Sequence, residues 1–353
     1  MNLLIINFIF CILYALIIRT LPLNNKFRDY LFLCLTFFQL LFVHSYVDIN
    51  SVPDLKNYEF AFNRLARCKW SEVDYIAIGK MEYGFKLFMK SISFIGGDFR
   101  MFLILNSIII IFCYYYIIKL YSPFVIISVL LFLLGTFNQS IYVLRQHLAI
   151  SLMLVSYPLI IKRQLIPFLG ISFISFFIHQ TSIVFIPIYF FYRINNKKIL
   201  LITILLSSVI LFIMFKYLLF WFGQEILVGY ESYLESDSGT NIVAALILLS
   251  FVLYYFIFCK NVIFEQGINK LLFIIGLLGV CILFAGIGFT PTGRLSMYFT
   301  IIPILLVPIT MQYIKNKIIM IISVAIIILF KIYTTFYGTS FRNLTDFDLA
   351  IQL

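Results

Sequence analysis

Apolar residues run along this chain in long blocks separated by short polar breaks. The blocks fall near residues 3–18, 30–47, 101–118, 124–137, 141–161, 199–215, 242–259, 271–289, 295–311 and 318–330. A bilayer-spanning helix needs about 20 predominantly apolar residues, so this pattern predicts about ten membrane spans. A further block, 165–192, is too long for one span and is interrupted at Ile178-His179-Gln180-Thr181-Ser182. It predicts two half-helices around a polar break. The expected fold is all-α: a polytopic integral membrane helical bundle with a broken, re-entrant-like helix pair. No linker or internal repeat divides the chain, so residues 1–353 are expected to form a single membrane domain. The polar stretches 48–100 and 220–241 are its two substantial loops on the outer side.

Composition agrees with the pattern. The chain is 63% hydrophobic and 12% charged, against about 45–50% and about 25% in a soluble domain. A soluble enzyme, a disulfide scaffold and a disordered chain are excluded. Five cysteines, Cys11, Cys34, Cys113, Cys259 and Cys281, lie in apolar blocks and read as small hydrophobes, while Cys68 lies in a polar stretch. Without a CxxC pair they point to neither redox nor zinc chemistry. The first block has no basic residue before it and Arg19 after it. That is the reverse of a signal peptide, so a retained first span with its N-terminus outside is expected.

The net charge of +11 would suggest nucleic acid as a partner in a soluble protein. Here it reports orientation. If 165–192 enters and returns, one side holds Arg19, Lys26, Arg28, Lys119, Lys162, Arg163, Arg193, Lys197, Lys198, Lys260, Lys270, Lys315 and Lys317, against the acids Asp29 and Glu265. The other side is balanced. If 165–192 crossed once, the later basic residues would change sides, against the positive-inside rule. The count therefore favours a hairpin whose tip, near His179, approaches the outer half of the membrane. Irregular backbone at that depth is tolerated against protein or a water-filled cavity, which makes the tip a place to expect a site.

A few polar residues inside apolar blocks carry candidate chemistry. Arg145 opens the block 141–161. At about 100° per residue, Asn138, Gln139, Tyr142, Arg145 and Gln146 project onto one arc of a continuous helix. The guanidinium suits an anionic diphosphate through bidentate hydrogen bonds; the competing reading is an arginine reaching lipid headgroups. His147 and His44 read as packing histidines. His179 can donate to a phosphate or take a proton, or can satisfy backbone groups freed at the break. Arg294 follows the breaker-rich Gly286-Ile287-Gly288-Phe289-Thr290-Pro291-Thr292-Gly293 and enters a span; it is either a second anion ligand or an interfacial anchor. In the first large loop, Asp54, Tyr58, Glu82 and Gly84 stand among carboxylates and aromatics that suit sugars, or simply a hydrated loop. The helical apolar spacing from Glu82 to Phe94 suggests an interfacial helix. With three histidines and no ligand spacing, no metal site is expected.

The ordered set of motifs resembles the EpsG-type branch of the Wzy polysaccharide (O-antigen) polymerases. Asp54-x3-Tyr58 and Glu82-Tyr83-Gly84-Phe85 stand in the first large loop, and Arg145-Gln146 opens a span. His179-Gln180-Thr181-Ser182-Ile183 sits in the broken block before Pro187, and Gly293-Arg294 enters a late span. The likeness covers about 50–310. That family often has proline after the glutamate, where this chain has Tyr83.

The resemblance implies a glycosyltransferase-C-like membrane enzyme of a bacterial cytoplasmic (inner) membrane, with its active site facing the periplasm or exterior. It would move a growing undecaprenyl diphosphate-linked glycan onto a new undecaprenyl diphosphate-linked oligosaccharide repeat unit. Catalytic roles would fall to Arg145, His179, Arg294 and Glu82, with Asp54, Tyr58, Tyr142, Gln146 and Gly84 contacting substrate. Arg145 and Arg294 would stabilise the leaving diphosphate, and His179, Glu82 or Asp54 would take the acceptor proton. No cofactor and no nucleic acid are implied. Membrane lipid is a partner, and a chain-length regulator protein is a candidate one. Alternatives are a transferase using a polyprenyl monophosphate sugar, a glycan ligase, and a non-enzymatic lipid-linked oligosaccharide flippase.

Overall fold

The structure is a computed structural model that describes residues 3–76, 81–226, 239–265, 267–286 and 291–337. Among these residues the chain is helical, without strands. Nine helical stretches are long and apolar enough to cross a membrane: Leu3–Thr20, Asn25–Ser45, Phe99–Tyr121, Val125–Tyr142, Leu144–Ile161, Ile242–Cys259, Ile268–Ala285, Gly293–Tyr313 and Lys317–Thr335. The remaining expected span, 199–215, lies within the helix Lys197–Ile226. The chain is a polytopic helical membrane bundle, as its pattern predicts. Most of the expected acidic loop 220–241, including Glu231, Glu235 and Asp237, lies outside the described residues, as do Phe289 and Thr290 before Arg294.

The chain divides into two compact units. The first comprises Met1–Ser156, Leu169–Ile183 and Lys317–Leu353; the second comprises Tyr157–Phe168 and Val184–Asn316.

In the first unit, α1 (Leu3–Thr20), α2 (Asn25–Ser45) and α5 (Phe99–Tyr121) are tied by polar groups buried among apolar ones. Gln39 donates to the Asn7 side chain at 2.6 Å, and the Tyr115 hydroxyl donates to Thr36 at 3.0 Å. The His44 ring bridges Ser107 (2.7 Å) and Ser140 (3.0 Å), a packing role. Two shorter helices, α3 (Pro53–Arg67) and α4 (Tyr83–Phe94), lie in the connection from α2 to α5. On α3, Leu55, Tyr58, Phe62 and Leu65 are buried at helical spacing; on α4, Phe85, Met89 and Ile92 are. Two lysines that the apolar spacing does not announce also turn inward. Lys86 donates to the carbonyls of Asp74 and Ile76, and Lys90 to those of Leu65, Ala66 and Cys68. Lys90 thereby satisfies carbonyls at the C-terminal end of α3.

The projection of Asn138 to Gln146 onto one continuous helix does not hold. After α6 (Val125–Phe132) the chain makes a π-helical turn, Leu133–Phe137, then a short α7 (Asn138–Tyr142). It breaks at Val143 (φ −109°, ψ 60°) before α8 (Leu144–Val155). The π-turn widens the helix by a residue, and it has an external partner: the Thr335 hydroxyl lies 2.5 Å from the Leu134 carbonyl. Both irregularities conserve the apolar pattern, so periodicity does not register them.

In the second unit, α9 (Tyr157–Ile161) leads toward α10 (Leu165–Ile178), whose first residues belong here. Beyond α10 lie a 3-10 segment, Gln180–Phe185, and α11 (Pro187–Arg193). The Tyr189 hydroxyl donates to the Arg163 carbonyl at 2.6 Å, and its ring stacks on Phe168 at 5.1 Å. The chain that leaves at Phe168 therefore returns at Tyr189. The 14 residues of α10 extend about 21 Å at ~1.5 Å per residue, short of a ~30 Å hydrocarbon core. The block 165–192 is thus the broken hairpin that its polar centre predicts. The rest of the unit contains α12 (Lys197–Ile226), α13 (Gly239–Cys259), α14 (Ile268–Ala285), α15 (Pro291–Thr300) and α16 (Pro303–Tyr313). The last helix, α17 (Lys317–Tyr337), belongs to the first unit.

Candidate active site

Four of the residues singled out in the sequence meet in the first unit. Glu82 lies between two partners. Its Oε2 accepts from Arg145 Nη1 at 2.5 Å, and its Oε1 lies 2.6 Å from His179 Nδ1. The Gln180 backbone N–H also points at Oε1, at 3.4 Å. Arg145 Nε donates to the Tyr58 hydroxyl at 3.4 Å, and the guanidinium lies 6.0 Å from the centre of that ring. The Glu82 and His179 side chains are each 10% exposed and Arg145 is 23% exposed. The cluster is therefore sheltered and still accessible.

Local structure explains each placement. Tyr58 is held on α3 by Phe85 of α4, edge to face at 5.7 Å. Glu82 is the N-cap of α4 and makes no side-chain cap hydrogen bond, which leaves its carboxylate for Arg145 and His179. Tyr83 follows at the first helical position. Proline is favoured there because that N–H has no partner within the helix, so tyrosine can replace it without losing a bond. Gly84 sits where α4 meets the end of α10. A methyl carbon there would lie 2.6 Å from the Phe177 carbonyl oxygen. This glycine lets two backbones approach, and that approach brings Glu82 to His179. The His179 N–H closes the last turn of α10 on Ser175 at 2.8 Å, and its carbonyl accepts from Ser182 at 3.0 Å, opening the 3-10 segment.

Burial pushes the Glu82 carboxyl up, but the hydrogen bond from His179 and the charge of Arg145 outweigh it, so the group is held below the ordinary carboxylate value. Burial pushes the Tyr58 hydroxyl above its ordinary value, with Arg145 opposing, so the phenol stays protonated. An ionised Glu82 only accepts hydrogen bonds. His179 Nδ1 must therefore carry the proton, and in the neutral ring Nε2 holds the lone pair.

The other candidates have separate places. Asp54 is exposed in the first turn of α3, one helical turn before Tyr58. Tyr142 and Gln146 are buried on either side of the Val143 break. Arg294 is half-buried on α15 in the second unit. His147 is fully buried, and among the described residues neither of its ring nitrogens has a hydrogen-bond partner. Among the described residues no three His, Cys, Asp or Glu side chains group as metal ligands would.

Fold and site together define a multi-pass helical membrane protein with a charged Arg–Glu–His cluster beside the paired helices α3 and α4. The profile of the EpsG family matches residues 29–345. The chain belongs to the EpsG family, and with it to membrane polysaccharide biosynthesis of the polymerase type. No curated protein and no solved structure matches the chain.

Proposed function

We propose that the protein is a polysaccharide polymerase. It transfers a growing glycan from undecaprenyl diphosphate to a hydroxyl of a new lipid-linked repeat unit, on the exterior side of the bacterial cytoplasmic membrane. The observation that carries this reading is the Glu82 carboxylate shared between Arg145 and His179. The acceptor hydroxyl oxygen attacks the anomeric carbon, and the bond from that carbon to the diphosphate oxygen breaks. The bonding electrons leave with the diphosphate, and the hydroxyl proton passes to His179 Nε2. Glu82 orients the imidazole through Nδ1 and stabilises the imidazolium that forms. Arg145, partly exposed beside Glu82 and Tyr58, meets the charge that develops on the leaving diphosphate. Arg294 is a second candidate for that anion, on the strength of the sequence motif. Asp54, on the rim beside Tyr58, is a candidate for sugar hydroxyls.

Deletion followed by analysis of surface glycan tests this. A polymerase mutant loses long chains and keeps one-repeat glycan, whereas a flippase mutant loses both. Donor profiling separates diphosphate-linked oligosaccharide from a monophosphate-linked sugar, and the latter would refute the reading.

A further inference from the structure

The cluster is carried by α3 and α4, and one surface of this pair has no role in the chemistry above. Trp70, Phe94 and Ile95 are 44%, 70% and 67% exposed. They form one patch, since the Trp70 and Phe94 rings meet edge to face at 5.5 Å and Ile95 follows in the chain. The patch is held rigidly. Lys90, which binds the carbonyl end of α3, lies 5.8 Å from the centre of the Trp70 ring. The Glu72 carboxylate accepts the Lys69 N–H at 2.8 Å and closes the turn Trp70–Glu72. An exposed apolar surface held in place is unfavourable in water, so a covering partner is expected.

Its position says which partner. From Phe94 and Ile95 the chain turns through Gly96 (φ +85°) and Gly97 to Asp98, which caps α5 by accepting from Met101 at 2.8 Å. α5 is a membrane span that begins at Phe99. The patch therefore adjoins the end of a span, at the depth where headgroups meet acyl chains and where tryptophan is favoured. Arg67 and Lys69 are exposed beside it, while Glu72 is turned to the backbone. Apolar residues bordered by cations match an anionic lipid surface. A sugar platform would offer an open ring face with acceptors nearby. Here the two rings meet edge-on and the neighbours are cations.

We propose that Trp70, Phe94 and Ile95, flanked by Arg67 and Lys69, insert into the headgroup region of the adjacent leaflet and anchor α3 and α4 to an anionic phospholipid surface. Such an anchor holds Tyr58 and Glu82 at the level of a lipid-borne phosphate. It rests on the membrane fold, not on the transfer reaction, so it stands or falls separately.

The chain has two tryptophans, Trp70 and Trp221, so Trp221→Phe leaves Trp70 as the sole reporter. The full chain is reconstituted in vesicles of phosphatidylcholine and phosphatidylglycerol, with or without bromine on the upper acyl chain. Brominated lipid is expected to lower Trp70 emission at least about twofold, with little quenching by aqueous acrylamide. In the same background, Phe94→Ser with Ile95→Ser is expected to weaken the lipid quenching. Emission quenched by acrylamide and untouched by bromine overturns the proposal. So does protection from acrylamide by a soluble oligosaccharide, which would make the patch a glycan platform. If the double variant fails to fold, the Trp221→Phe measurement still decides.

Discussion

Gly84→Ala tests whether the meeting of α4 and α10 sets the site. The added methyl carbon would lie 2.6 Å from the Phe177 oxygen and 2.8 Å from the carbonyl carbon and Cβ of that residue. Ordinary contact begins near 3.4 Å, so the two backbones must separate by the difference, about 0.8 Å. The obstacle is backbone, so no rotamer change relieves it. Overpacking of this kind costs about 1–3 kcal/mol. The same displacement, two residues away, would stretch the 2.6 Å contact between Glu82 and His179 to the limit of a hydrogen bond. Misplacement of a catalytic group by ~1 Å can cost ~10²-fold in rate. Gly84→Ala is therefore expected to shorten the surface glycan of a complemented deletion strain far more than it lowers protein level. Gly170, exposed on α10 with open space around it, is the control. There alanine is expected to be neutral, or to stabilise by up to ~1 kcal/mol through helix propensity. Glycan length comes from gel ladders, protein level from immunoblots, and stability from thermal unfolding of the purified chain. Full-length glycan from Gly84→Ala at normal protein level would refute the argument.

Further expectations follow from the same geometry. Arg145→Lys keeps the charge but loses the fork that reaches both Glu82 and Tyr58; it is expected to cost ~10²-fold in transfer, and unchanged chain length would remove Arg145 from the mechanism. Glu82 is held below its ordinary value of 4.5, so its ionisation stabilises the fold above that value, and this contribution is lost as pH falls through the lowered one. Glu82→Gln is thus expected to flatten the acid limb of the unfolding temperature against pH, and an unchanged limb counts against the pairing. Thr335→Val removes the hydroxyl partner of the Leu134 carbonyl and is expected to destabilise by about 1–3 kcal/mol, with recovery in Thr335→Ser. Equal unfolding temperatures for the two variants would show that the π-turn does not need this bond.

The span pattern was legible because a bilayer demands long apolar runs, and those runs are visible one residue at a time. The broken block was legible because Ile178-His179-Gln180-Thr181-Ser182 puts polar groups where a span cannot hold them, and because the basic residues sort only if that block returns. The π-turn was not legible. Leu133–Phe137 is apolar apart from Gly135 and Thr136, and its partner Thr335 lies on the last helix. The buried lysines were hidden for a related reason. Lys86 and Lys90 read as the polar face of α4, yet both turn inward to backbone carbonyls: Lys90 to those at the end of α3, and Lys86 to those of Asp74 and Ile76 further along the same loop.

The site was legible in its residues and illegible in its connections. Arg145, His179, Glu82 and Tyr58 each stood out by type or motif, but the proton acceptor stayed open because sequence order says nothing about which carboxylate meets which cation. Glu82 finds partners 63 and 97 positions away. The chain encodes that convergence through residues with little chemistry of their own. Gly84 admits the end of α10, Phe85 fixes Tyr58, and the polar break ends α10 at His179. Asp54, exposed one turn from Tyr58, has the same carboxylate but none of these supports. Orientation by the backbone, more than residue type, is what separates Glu82 from the other acids of the same loop.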